Sequence, residues 1–362
     1  MKGIHMLSLL QKHYDGATKM KKYTTKFQAL LIVLYLVLTP ICTLTASEPV
    51  PAILEQFDEA SVLTVLHDEV PNFEIKTMEL LSNGWDNLVA EINGEWIFRF
   101  PRTEAFVLRF ERERLLLDRL HQHVSLPIPY YEFMGVHTAF VGYRKIPGEA
   151  LDEKLYLTFS IETRQEIAET LALFLTQLHG GISVEEALQW GYGEYRVPLQ
   201  WIECSLLGTL PTSDIERIVS EALDYAKLHP YRVDHRVLLH NDLHGENFAL
   251  DVSTHKVNGI FDFSDAMIGD YTIEFGKLFC VHHDLAFRTS EAYALLNEVS
   301  NPIIPAAVDY ILRRATYILY NREMGVDSFH EKRLIRMLEN FVPIWDELGN
   351  DIPFSVDSVV NI

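Results

Sequence analysis

A chain of 362 residues that is 48% hydrophobic can build two lobes with a substantial core, and a formal charge of −20 argues against a nucleic-acid-binding surface. The three cysteines, Cys42, Cys204 and Cys280, have no metal-ligand spacing and form no disulfide framework. There is no internal repeat and no low-complexity tract.

The first element has the layout of a secretory signal peptide. Lys19, Lys21, Lys22 and Lys26 precede an apolar run over residues 29–45, interrupted only at Thr39-Pro40, and the small residues Thr45-Ala46-Ser47 follow. A start at Met20 would give this peptide a basic leader of normal length. No Lys or Arg occurs between residues 27 and 75, so an uncleaved anchor would leave the remainder outside the membrane. The expectation is a signal peptide or membrane anchor over residues 1–47, with export or membrane association through residues 27–46, set against a cytoplasmic enzyme. Residues 1–47 contain six Lys and one Asp, which leaves a formal charge of −25 on the rest. That charge favours cationic ligands, or serves only as a solubilising surface.

Asn87–Ile92, the dipeptide Asn93-Gly94 and residues 95–100 read as a hairpin, because Asn-Gly supplies the positive φ values of a two-residue turn. Trp96, Phe98 and Phe100 alternate with Ile97 and Arg99. Glu104–Leu120 has helical spacing, with Phe106, Phe110, Glu113, Leu117 and Leu120 on one face. A carboxylate in an apolar stripe is costly unless it meets a cation, so Glu113 needs a partner. Ile167, Leu171, Phe174 and Leu178 mark another helix, and residues 271–285, 306–324 and 331–348 are also expected to be helical.

The chemistry is carried by His240-Asn241-Asp242-Leu243-His244-Gly245-Glu246-Asn247 and, after an apolar stretch, Gly259-Ile260-Phe261-Asp262-Phe263. Leu238-Leu239 and Phe248-Ala249-Leu250 read as short buried strands that hold the polar loop between them, with a third strand over residues 257–263. An Asp and an Asn five positions apart, with a second Asp after the next strand, match the kinase pattern H-R-D-L-x-x-x-N plus D-F-G, except that Asn241 replaces Arg and Ser264 replaces Gly. Asp242 can orient and deprotonate a hydroxyl. Asn247 and Asp262 offer hard oxygen ligands to Mg²⁺. His240 is expected to brace the loop from a buried position, and Asp270 to support it. His282-His283-Asp284 is metal-like only in composition, since adjacent histidines project differently.

At these residues the chain resembles the aminoglycoside phosphotransferase family, small-molecule kinases of the choline-kinase-like and protein-kinase-like group. The family's loop reads H-G-D-L-H-x-x-N, and its second motif reads I-D-F-x-D followed by G-D-P-x-x-D. Here Asn241 stands for the Gly, Tyr271 for the Pro and Glu274 for the last Asp, while Asp265 and Asp270 keep their places. The resemblance runs from roughly residue 55 to the C-terminus.

The resemblance implies an α+β, bilobal protein-kinase-like fold. An N-lobe of antiparallel sheet plus helix would span residues 48–147, and a mainly helical C-lobe residues 148–362. Arg99 would occupy the position of the kinase strand lysine and pair with Glu113, although Arg109 or Arg114 are local alternatives. The loop containing Gly84 and ending at Asn87 would cover the phosphates of ATP or GTP, with residues 140–148 as the interlobe hinge. Asp242 would be catalytic, with Mg²⁺ on Asn247 and Asp262. The acceptor would be a small aminoglycoside-like cation held by carboxylates among Asp265, Glu274, Asp284, Glu323, Asp327, Asp346 and Glu347. A kinase for a choline-like amine, a macrolide or a sugar is the enzymatic alternative. A membrane-tethered, non-catalytic binding module is the alternative of another class.

Overall fold

The computed structural model describes residues 51–81, 86–325 and 328–349. The apolar run at 29–45 lies outside them, and among the described residues no helix is long and apolar enough to cross a membrane. In chain order the elements are α1 (Glu59–Glu69), β1 (Met78–Leu81), β2 (Asn87–Ile92), β3 (Trp96–Pro101), α2 (Glu104–Leu120), β4 (Phe133–Met134) and β5 (Val141–Arg144). There follow α3 (Glu153–Thr158), α4 (Ile161–Gly181), α5 (Val184–Gln189), α6 (Leu199–Ser205) and α7 (Ser213–Leu228). Strands β6 (Arg236–Leu239), β7 (Phe248–Asp251), β8 (Lys256–Ile260) and β9 (Met267–Asp270) lead into a 3₁₀ helix (Tyr271–Cys280). Helices α8 (His283–Asn297), α9 (Ile303–Met324) and α10 (Ser328–Gly349) complete the described chain.

The first five strands form one antiparallel sheet in the order β1-β2-β3-β5-β4. Its central hairpin pairs Ile92 with Trp96 and Val89 with Arg99. Asn93 and Gly94 turn the chain with φ of 56° and 68°, the geometry that two-residue hairpins require. Asn93 also ties the hairpin to the preceding segment: its Oδ1 accepts from the Lys76 and Thr77 amides at 2.7 and 3.1 Å, and its Nδ2 donates to the Glu74 carbonyl at 2.7 Å. Trp96, Phe98 and Phe100 pack with Leu66, Ile92 and Phe140 in one core, so Arg99 lies on the opposite face of β3.

The second core is helical. Ile167, Leu171, Phe174 and Leu178 on α4 are all buried and share a cluster with residues of α7, α8, α9 and α10. Short strands β6–β9 and β7–β8 pair antiparallel at the edge of this core. They carry the polar loops that face the sheet.

Two expected elements differ. Residues 271–285 do not form one helix: the chain winds as a 3₁₀ helix to Cys280, and α8 starts afresh at His283. The break is at His282, whose extended backbone (φ −166°) lets its Nδ1 accept from the Asp284 amide at 3.1 Å as an N-cap. The strand expected over 257–263 ends at Ile260, because Asp262 adopts φ 62°, which no strand accommodates.

The hairpin turn provides a test. Asn93→Gly keeps the backbone geometry and loses the side-chain bonds, so urea unfolding should show a loss of about 1 kcal/mol. Asn93→Ala should lose a further ~1 kcal/mol from left-handed strain. Equal stability of the two variants would contradict this account of the turn.

Candidate functional site

The loop between β6 and β7 is shaped by one buried carboxylate. Glu274 on the 3₁₀ helix accepts from the backbone amides of His240 (2.8 Å) and Asn241 (2.9 Å), and its Oε2 lies 3.5 Å from Nε2 of His179. Burial pushes this carboxyl up, but the His179 ring and the Asn241 amide outweigh it, and the net shift is downward. Glu274 is only 1% exposed and is committed to the loop, so it cannot be the acceptor-binding carboxylate that its acidity suggested.

Asn241 has φ 65°, the left-handed region that Gly enters freely and Asn tolerates best among other residues. That explains the substitution of Asn for the family's Gly. The side chain is also used: Nδ2 donates to the Asp265 carbonyl at 2.9 Å, and Oδ1 accepts from Arg313 at 3.0 Å. Arg313 is in turn held by Asp309 at 3.0 Å and stacks over Tyr195. His240 is fully buried. Its Nδ1 accepts from the Asp242 amide (3.3 Å), which places the proton on Nε2 for donation to the Phe261 carbonyl at 3.1 Å. Gly245 has to be glycine, since a Cβ there would sit 1.9 Å from the Leu151 carbonyl oxygen.

Asp242 is held on both carboxylate oxygens. Oδ1 meets Lys277 Nζ at 2.5 Å, while Oδ2 accepts from Asn247 Nδ2 at 3.0 Å and lies 3.3 Å from His244 Nε2. Burial pushes the carboxyl up, yet the His244 hydrogen bond and the Lys277 charge hold it well below the usual carboxylate range. Asn247 Nδ2 also donates to the Asp242 carbonyl at 2.9 Å, so the opposite atom, Oδ1, is the one turned toward a cation. Asp262 is 44% exposed, accepts from Ser264 Oγ at 2.6 Å, and lies 3.9 Å from Arg99. Ser264, in the place of the motif's Gly, thus hydrogen-bonds the Asp it follows.

Arg99 donates to Glu113 at 3.0 Å and to Tyr131 Oη at 3.3 Å, with side-chain exposures of 7% for Arg99 and 1% for Glu113. Arg109 and Arg114 are engaged elsewhere, with Asp86 at 3.0 Å and with Glu111 and Asp118 respectively. Burial works against the Arg99 charge, but Glu113, together with Tyr131, Asp262 and Tyr143, outweighs it and holds the guanidinium protonated. Asn87 is buried at the start of β2, and its Oδ1 has no hydrogen-bond partner among the described residues. Gly84 lies outside the described residues. Asp270 caps the 3₁₀ helix, accepting from Thr272 N at 3.1 Å and Oγ1 at 2.8 Å, with His235 at 3.3 Å.

Other acidic residues have partners of their own. Asp284 binds Tyr156 and Arg288, Glu323 accepts from Trp201, and Asp346 pairs with Arg217. Asp327 lies outside the described residues. Asp265 differs: its side chain is 52% exposed and lies 3.8 Å from Arg109. Desolvation and the charges of Asp242 and Asp262 push it up to about 6. Among the described residues no group of three or more His, Cys, Asp or Glu is placed to hold a metal. Asn247 and Asp262 nevertheless suit Mg²⁺, which takes one or two protein oxygens and completes its shell with phosphates and water.

Lys277 and Arg313 escaped the sequence reading. The available signal was a lone Lys within the apolar stretch Ile273-Glu274-Phe275-Gly276-Lys277-Leu278-Phe279, which must find an anion if buried.

Residues 77–302 match a family model described as "Phosphotransferase enzyme family". The GDP complex of wild-type aminoglycoside 2'-phosphotransferase-IIIa superposes with a TM-score of 0.70 at 22% identity, covering 79% of this chain and 99% of that one. ADP-bound aminoglycoside phosphotransferase APH(2'')-Ib gives 0.58 at 18% identity over 78% and 97%. The macrolide 2'-phosphotransferase MphH from Brachybacterium faecium gives 0.57 at 16% identity over 77% and 97%. At these identities the likeness is one of fold.

Replacing Glu274 by Ala leaves two buried loop amides without an acceptor, so unfolding free energy should drop by about 3–5 kcal/mol. Because the folded-state pKa is depressed, the carboxylate's contribution is complete above its ordinary value of 4.5 and is lost as pH falls through the folded value. The stability gap between wild type and Glu274→Ala should therefore narrow as pH falls below 4.5; a gap that stays constant on acidification would contradict the assignment.

Proposed function

The chain belongs to the phosphotransferase enzyme family, and on that premise we propose that it moves the γ-phosphoryl group of ATP or GTP to a hydroxyl of a small cationic acceptor of the aminoglycoside type. The supporting observation is the convergence of Asp242, Asn247 and Asp262 from two loops opposite the buried Arg99–Glu113 pair of the sheet lobe. In this reading Arg99, steadied by Glu113, faces the α- and β-phosphates. Asn247 Oδ1 and Asp262 take the Mg²⁺ that neutralises the phosphate charge. Asp242 aligns the acceptor hydroxyl and receives its proton. Asn87, whose Oδ1 has no hydrogen-bond partner among the described residues, follows directly on the segment read as the phosphate-covering loop.

A cationic acceptor is supported by the −25 balance of residues 48–362 and by the proximity of Asp242 and Asp262 to Asp265, whose charges add to desolvation in raising its pKa. Related folds have been captured with kanamycin, gentamicin and streptomycin. Macrolide phosphotransferases share the fold, so the acceptor panel includes macrolides together with choline-like amines and sugars. Residues 1–47 we read as a separable targeting or anchoring segment.

Asp242→Ala should lower kcat by about 10²–10⁴-fold with nucleotide affinity retained, whereas Asp262→Ala should weaken Mg²⁺-dependent nucleotide binding, measured by titration with and without the metal. Wild-type turnover in Asp242→Ala would remove the basis of this function.

The cationic-acceptor assignment has a separate check. Acceptor KM should climb as ionic strength rises, because charge-assisted contacts are screened, while nucleotide KM changes less. A flat acceptor KM would favour a neutral metabolite.

A further inference from the structure

A 3₁₀ helix has three residues per turn, so residues three apart lie in one row along its side, whereas an α-helix would rotate each successive one off that line. In the ten-residue 3₁₀ helix Tyr271–Cys280, this puts Glu274 and Lys277 in register. Glu274 holds the backbone of the catalytic loop through the His240 and Asn241 amides. One turn later, Lys277 holds that loop's reactive side chain, with Nζ 2.5 Å from Asp242 Oδ1.

The other two groups on the Asp242 carboxylate, Asn247 and His244, belong to the same loop and move with it. Among the described residues, Lys277 is the contact that ties this carboxylate to the helical framework outside the loop. The Lys277 side chain is only 14% exposed, and burying its charge is costly unless the ion pair persists. A strongly paired carboxylate is a poor base. That suits phosphoryl transfer, where the loose transition state asks mainly for an aligned nucleophile.

We propose that Lys277 is a positioning residue for phosphoryl transfer, aiming the Asp242 carboxylate at the acceptor hydroxyl. The inference rests on the catalytic assignment of Asp242 made above. It departs from the kinase pattern in which the cation accompanies the catalytic Asp within the motif itself, because here the cation comes from a helix 35 residues downstream.

The test compares Lys277→Met, Lys277→Gln and Lys277→Arg with Asp242→Ala and wild type. ADP or GDP release is measured with kanamycin as the acceptor probe, and kcat is expressed per molecule competent to bind nucleotide. Normalising in this way removes losses that come only from unfolding. Met and Gln should lower kcat by about 10- to 100-fold, the scale of a misplaced reacting group, with nucleotide and acceptor KM within about threefold of wild type. Arg, which keeps the charge, should recover part of the loss. The Gln variant keeps a polar group of similar reach, so the decision does not depend on the Met variant folding. If Met or Gln retains kcat within about twofold of wild type while Asp242→Ala is inactive, the positioning role is wrong and the catalytic assignment stands. If Asp242→Ala itself turns over normally, the catalytic assignment fails and the role of Lys277 falls with it.

Discussion

Everything in the cleft is referenced to the two hydrogen bonds that Glu274 accepts from the amides of His240 and Asn241. The loop between β6 and β7 must turn sharply, with Asn241 in left-handed geometry, and a loop bent in that way presents backbone donors to the interior. Buried amides without acceptors are costly, and the two oxygens of a carboxylate can accept from two adjacent N–H groups at once. With that anchor in place, His240 fixes the Asp242 amide on one side and the Phe261 carbonyl on the other, so the two motif loops are held together through one ring.

Charge distribution across the cleft follows the same logic of buried pairs. Arg99 and Glu113 are nearly inaccessible and neutralise each other, which leaves the guanidinium's second face directed toward Asp262 at 3.9 Å. Arg109 bridges Asp86 at 3.0 Å and Asp265 at 3.8 Å, linking the segment before β2 to the one after Asp262. Asp242, Asp262 and Asp265 together form an electronegative floor, relieved on one side by Lys277. A cluster of this kind favours cations over anions, and its unequal compensation sets the carboxylates apart: Asp242 is held well below the usual carboxylate range and Asp265 is pushed above it.

The elements that sequence reading located well are those whose signal is local. The Asn93-Gly94 turn, the α2 stripe containing Glu113 and the α4 residues Ile167 to Leu178 each follow from short-range periodicity or turn chemistry, and the described structure contains them. The segment 271–285 was misjudged because apolar spacing does not separate a 3₁₀ helix from an α-helix over ten residues. What ended the turn was the cap at His282. Acidity alone leaves Glu274 among the candidate acceptor carboxylates, because it does not reveal whether a carboxylate meets solvent or two backbone amides.

The sequence by itself singled out the candidate reactive groups, since Asp242, Asn247 and Asp262 stand out by residue type at fixed spacing on loops between short strands. Only the tertiary structure decided which charges surround them. Lys277 reaches Asp242 across 35 residues, and Arg313 reaches Asn241 across 72. The energy of a buried ion pair depends on the distance and desolvation of both partners. Those quantities come from the packing of the 3₁₀ helix and α9 against the loop, and no local pattern in the chain encodes them.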